Sequence, residues 1–349
     1  MSWFVLTLIC MFGWGFADLF YKKSNVDGDR YSHLKTAVWV GLMMGFVSLV
    51  LTVLSVCQAP LEFTFLNHNG EEYTISFVSE SLFKPGSDFF GSAVKYLPAS
   101  LGYIISMIIG YAGLRYLEVS IVSPVQNASG ALSAIVMFIY FSVTGAIGSF
   151  WEEFTVLQVV GTAFIVLGVI ALGIVEQRLA KAEGALNLPK EDRKYRYGAL
   201  ALLFPILYCI FDTIGTAADG IILDEETGLG LGEIDVLILY GFTFFLAAVG
   251  AWIFLLIKGK KAYNPFAKSE WKTRFPAAVF EQFGQIFYVY ALAANPIAAT
   301  PMIASYCIVS AILSRIFLKE KLKAAQYVCI AAVIVGIVMM GVADGLAEA

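Results

Sequence analysis

Charge is scarce in this chain: only 14% of its 349 residues are Asp, Glu, Lys or Arg, and only two, His33 and His68, are histidine. A soluble domain carries charge on about a quarter of its residues, so this chain does not build a water-facing surface of the ordinary kind. Neither histidine belongs to a cluster with metal-ligand spacing, which argues against a metal centre or metal-assisted chemistry. No cofactor is expected. The five cysteines, Cys10, Cys57, Cys209, Cys307 and Cys329, fall within or at the ends of apolar runs. Their spacing suggests neither a disulfide framework nor a zinc site, and they read as small packing residues. Met1-Ser2-Trp3 offers no basic region ahead of the first apolar run, so that run is expected to be an uncleaved helix rather than a signal peptide.

Apolar residues are abundant, at 59% of the chain. About 20 of them in a row cross the hydrocarbon layer as a helix. Ten such runs are expected, near residues 2–21, 35–57, 97–114, 119–144, 156–176, 197–217, 235–257, 275–294, 297–318 and 323–343. The fold class is therefore an all-α membrane protein. If the ten spans alternate, 21 of the 23 cations collect on one side, and the other side keeps only Lys84 and Lys95. Lys and Arg mark the cytoplasmic side. The expected location is the plasma membrane, the inner one in a bacterium, with both termini extracytoplasmic.

A module recurs. Ser123-Pro124, Ser133-Ala134-Ile135, Glu152, Gln158 and Gly168 return in the same order as Thr300-Pro301, Ser310-Ala311-Ile312, Glu320, Gln326 and Gly336. The same alignment sets Tyr111 on Tyr288, and Trp14 and Asp18 lie opposite Tyr208 and Asp212. Each copy holds five spans. An odd number of crossings turns the second copy upside down, giving two inverted five-helix repeats, an architecture of many secondary transporters. The expected divisions are a first repeat over 1–176, a cytoplasmic linker over 177–196 and a second repeat over 197–349. Residues 58–96 form an extracytoplasmic insertion. Within it, 61–65 and 73–77 alternate apolar and polar residues around Asn67-His68-Asn69-Gly70, which predicts a β-hairpin. Residues 81–96 are expected to lie along the membrane surface, and the whole insertion reads as a plain loop or as a lid.

Two blocks carry a family likeness. Ser310-Ala311-Ile312-Leu313 and Leu318-Lys319-Glu320-Lys321-Leu322, followed by Gln326 and Gly336, form one; Gly13-Trp14-Gly15-Phe16-Ala17-Asp18 with Lys22-Lys23-Ser24 forms the other. The sequence resembles the drug/metabolite transporter superfamily, particularly its EamA-type members with ten helices. The resemblance implies that spans one, three, four, six, eight and nine line a central cavity and that spans five and ten lie outside it. The long loop after span two and the extended turn before Glu152 depart from the family pattern.

An ionisable side chain within hydrocarbon costs several kcal/mol unless it meets water or a partner. Asp18 stands about 22 Å into span one, one turn before Lys22, and reads either as half of an interfacial ion pair or as a gate residue. Asp212 stands about as deep from the cytoplasmic start of span six, on a face with Pro205, Tyr208, Thr216 and Asp219. It reads as a proton or cation site or as a water-exposed carboxylate. Glu281, Gln285 and Tyr288 share one face of span eight, while spans three and four offer Tyr103, Gln126 and Asn127. This polar stripe in an apolar setting suits a small organic solute, or else polar contacts between helices. Pro124 and Pro301 occur in early turns of spans four and nine, as helix starters or paired hinges. Arg115 with Glu118, and Arg315 with Glu320, are expected as ion pairs at helix ends.

The function that follows is secondary transport of a metabolite, amino acid, sugar, nucleoside or drug-like amine by alternating access, with proton coupling as a hypothesis. A channel, a non-transporting receptor and, more remotely, a membrane-embedded enzyme are the alternatives. The expected partners are the lipid bilayer and the solute, with no nucleic acid. The small-residue faces of spans five and ten serve either a homodimer or the bundle itself.

Overall fold

The computed structural model describes residues 2–24, 29, 31–59, 61–66, 72–79, 81–113, 119–148, 150–182, 203–224, 226–258, 263–317 and 322–347. The expected linker lies almost wholly outside them, as do Arg115, Glu118 and Glu320. Apolar runs become helices because a helix satisfies its own backbone polar groups where water is missing. The first half contains α1 (Trp3–Ser24), α2 (Ser32–Val56), α3 (Phe89–Gly113), α4 (Val119–Thr144), the single turn α5 (Phe150–Glu153) and α6 (Val156–Ala182). The second contains α7 (Leu203–Ile222), α8 (Glu233–Lys258), α9 (Arg274–Ala294), α10 (Pro296–Ala304), α11 (Tyr306–Phe317) and α12 (Ala324–Ala347).

Among the described residues nine spans are long and apolar enough to cross a membrane, α10 and α11 together making one of them. The tenth expected span corresponds to α9, which has 21 residues but breaks its apolar run with Glu281, Gln282 and Gln285. All three are buried. Length and composition therefore support nine spans, and the polarity of α9 faces protein. Elsewhere the bundle turns large apolar side chains outward, as at Val143 (82% exposed) and Phe90 (73%). In water such a surface would aggregate; in lipid it faces its solvent.

Neighbouring helices approach through small residues. A Cβ on Gly336 of α12 would come within 2.6 Å of the Gly161 carbonyl oxygen on α6, and one on Gly241 of α8 within 2.4 Å of the Met44 carbonyl on α2. Close backbone approach replaces the hydrophobic drive that lipid withholds. The last helix of each half begins in the same way. The Gln158 side chain accepts the Thr155 N–H at 2.8 Å, and the Gln326 side chain accepts the Lys323 N–H at 2.7 Å. Each glutamine satisfies a backbone donor that the first turn leaves orphaned.

Strands β1 (Glu62–Leu66) and β2 (Glu72–Ser76) pair antiparallel with Glu62 opposite Ser76, and their connecting turn lies outside the described residues. Beyond them the chain docks on the bundle. Ser79 and Ser81 both donate to the carboxylate of Asp235 at the start of α8, Ser81 at 2.5 Å, and the Ser79 N–H reaches Ser55 Oγ at 2.8 Å. The expected surface segment is shorter than 81–96, because α3 begins at Phe89 and continues through Pro98. The two prolines behave differently. The helix holding Pro301 breaks at Ser305, four residues on, whereas α4 runs unbroken past Pro124.

Candidate functional site

Eight helices converge on one cavity, most of them through residues spaced about one helical turn apart, with α8 and α11 contributing Tyr240 and Tyr306. Trp14, Asp18 and Tyr21 line it from α1; Glu281, Gln285 and Tyr288 from α9; and Tyr208, Asp212 and Thr216 from α7. Spacings of three and four residues keep a helical face continuous, which is why Glu281, Gln285 and Tyr288, and Tyr208, Asp212 and Thr216, could be grouped from sequence alone. α3 supplies Tyr103 and Tyr111, α4 supplies Gln126 and Asn127, and α10 supplies Thr300. All eight candidate residues, namely Asp18, Tyr103, Gln126, Asn127, Asp212, Glu281, Gln285 and Tyr288, line this single space of ≈ 940 Å³, its mouth included.

The three carboxylates each receive a hydroxyl. Ser310 of α11 donates to Asp18 at 2.8 Å, Ser129 of α4 donates to Asp212 at 2.6 Å, and Tyr21 donates to Glu281 at 3.0 Å. A charged side chain at a helix centre costs about 3 kcal/mol by insertion scales, so three facing one polar cavity is the arrangement that lowers that cost. Lys22 follows Asp18 by one turn and directs its ammonium to Ser314 Oγ at 2.9 Å. It does not belong to the lining, and among the described residues no Lys or Arg does.

Sequence reasoning missed the aromatic content of the site. One tryptophan and seven tyrosines line the cavity, although Tyr and Phe are frequent enough in the chain for lipid contact and packing to account for them. Trp14 lies 5.2 Å from Tyr288 and 5.8 Å from Tyr306 between ring centroids, and its indole N–H reaches the Glu281 carbonyl at 3.3 Å. The signal was present in the pairing of Trp14 with Tyr208 and of Tyr111 with Tyr288 across the repeat. A buried layer of hydroxyls adjoins the cavity. Tyr103 and Tyr288 share a short hydroxyl contact, Tyr103 also donates to Thr216 at 3.1 Å, and Asp219, one turn beyond Thr216 on α7, accepts from Tyr96 at 2.8 Å. Asp219 is fully buried. Lining groups with buried polar atoms that lack a hydrogen-bond partner include the Gln126 and Gln285 amide nitrogens and the Thr300 hydroxyl.

Residues 227–342 match the model of the EamA-like transporter family. Among curated proteins no sequence match is found. A solved crystal structure of a protein aligns over 99% of this chain and 99% of its own length, at 14% identity and a TM-score of 0.61. Likeness at that identity concerns the fold alone, and it extends the shared architecture over both halves. The sequence from the loop before α8 through most of α12 is thus similar to the EamA-like transporter family.

Proposed function

We propose that this protein is a secondary transporter, not an enzyme, that carries a small organic solute through the cavity by alternating access of two inverted five-helix repeats. One observation carries the reading: both halves line a single polar cavity, and their matching carboxylates, Asp18 and Asp212, each accept a hydroxyl from the helix that carries the repeated Pro and Ser-Ala-Ile block. The helix pairs agree with an exchange of halves. α1 packs on α9 as α3 packs on α7, while α2 with α8 and α6 with α12 are each their own counterpart. At the last of these, Gly168 approaches the Cys329 carbonyl and Gly336 approaches the Gly161 carbonyl. Both pairs of equivalents, Gly168 with Gly336 and Gly161 with Cys329, are related by the same step along the chain. This supports ten spans, with α9 as the eighth.

Asp212 and Asp18 are the residues for coupling or gating. The location that fits is the plasma membrane with both termini extracytoplasmic. Purified protein in proteoliposomes, offered amino acids, sugars, nucleosides and organic amines with and without a pH gradient, should show saturable uptake of one class. Flux that never saturates for any of them would sink the transporter reading. Asp212→Asn should abolish stimulation by the pH gradient, and an unchanged response would remove proton coupling.

A further inference from the structure

We infer that the solute is an organic cation, an amine or guanidine with an apolar or aromatic body and no carboxylate of its own. The inference rests on the transporter reading above and names the cargo of the same cavity. Three observations converge on it. The lining holds the three carboxylates Asp18, Asp212 and Glu281, with no Lys or Arg among the described residues that form it. A phosphate ester or a simple carboxylate would find no cationic partner there and would face negative groups, which disfavours it by like-charge repulsion. The walls are aromatic. A cation over the face of Trp or Tyr is attracted by the ring quadrupole, most strongly where water is excluded. Tyr288 and Tyr306 each lie within 6 Å of Trp14 between ring centroids, and Glu281 and Asp212 line the same space.

The third observation is independent of charge. The Gln285 amide nitrogen and the Thr300 hydroxyl are buried and lack protein partners, and unmade hydrogen bonds of this kind are costly to keep. Both belong to the cavity wall. They suit a neutral hydrogen-bonding group on the solute, such as a hydroxyl or carbonyl, set apart from its cationic end. A zwitterionic amino acid would satisfy the carboxylates through its ammonium, but its own carboxylate would have amides and hydroxyls alone as partners. The cavity therefore favours the amine over the amino acid.

Three aromatic probes of similar size separate charge from shape: benzyltrimethylammonium, whose charge is permanent, neutral phenylacetamide and anionic phenylacetate. Binding to the full chain in nanodiscs is measured by calorimetry, and flux of the same probes is measured in proteoliposomes. Benzyltrimethylammonium should bind at least tenfold more tightly than either of the others. Glu281→Gln and Asp212→Asn should each weaken it about tenfold. Trp14→Leu keeps every carboxylate and should lower affinity for benzyltrimethylammonium several-fold more than affinity for phenylacetamide, which tests the aromatic wall even if a carboxylate variant fails to fold. Equal binding of the three probes, tighter binding of phenylacetate or binding of none overturns the cation assignment. The transporter reading then stands or falls separately, on whether any solute of the wider panel shows saturable flux.

Discussion

Arg274 shows what a single charged residue can do at the edge of the bundle. Its side chain is 6% exposed, and one guanidinium nitrogen donates to both carboxylate oxygens of Glu270 at 2.8 and 2.7 Å. The other terminal nitrogen holds the Ser24 carbonyl and the Ser32 hydroxyl, both at 3.0 Å. One side chain thus ties the start of α9 to the end of α1 and the start of α2. Removing one partner of a buried pair strands the other charge, at about 3 to 5 kcal/mol. Arg274→Met should lower the unfolding temperature sharply, whereas adding Glu270→Leu to it should recover much of the loss. Thermal unfolding of the single and double variants in one detergent decides this; a single variant as stable as the parent would show that the pair holds nothing. From sequence Arg274 counted only as one of the 21 cations on the cytoplasmic side. Glu270 lies only four residues away, but Ser24 and Ser32 lie 250 and 242 positions away, and no local pattern connects Arg274 to them.

Helix pairs carry the next level of stability, and glycine marks where they touch. In α12, Gly336→Ala would push its Cβ to within 2.6 Å of the Gly161 carbonyl oxygen and 3.0 Å of the Ile165 backbone nitrogen. Neither backbone atom can turn aside, so the helices must part, at a cost of about 1 to 3 kcal/mol. Gly250 in α8 faces open space, and alanine there should stabilise the helix by up to about 1 kcal/mol. Opposite shifts in unfolding temperature for the two substitutions are expected, and equal shifts would refute close packing as the reason for Gly336. Sequence alone revealed these elements because hydrocarbon demands long apolar runs, and it revealed the glycines through the repeat. It placed the start of α3 eight residues too late, since Lys95 and Pro98 look like the end of a loop, although the helix passes through both. It gave α10 and α11 as one span, which their joint length and composition support, but it did not place the break at Ser305. The carboxylates and amides of the site were legible because polar residues are rare inside apolar runs. The tyrosines were not, because an aromatic ring in such a run looks the same whether it meets lipid, a neighbour or a cavity.

At the scale of the whole molecule, the proposed inversion of the two halves sets the sides of the membrane on which equivalent positions lie, and labelling can test it. The loop between α2 and α3 holds the hairpin, and its counterpart in the second half is the connection between α8 and α9, which contains a short helical turn at Glu270–Lys272. Parallel repeats would put both connections on the same side; inverted repeats put them on opposite sides. Charge agrees with inversion, since Lys258, Lys268, Lys272 and Arg274 gather around the second connection while the hairpin strands carry no Lys or Arg, and cations favour the cytoplasm. Thr64 and Lys272 are both exposed, so cysteine at either site is open to a reagent on its own side. Cys57 is exposed near the hairpin and would react as well, so it is first replaced by serine. In intact cells a membrane-impermeant maleimide should label Thr64→Cys and spare Lys272→Cys, and permeabilisation should make both react. Labelling of both in intact cells would overturn the inversion. Protection of Thr64→Cys with labelling of Lys272→Cys would keep the inversion and reverse the orientation, because two inverted halves remain inverted whichever way the pair is threaded through the bilayer.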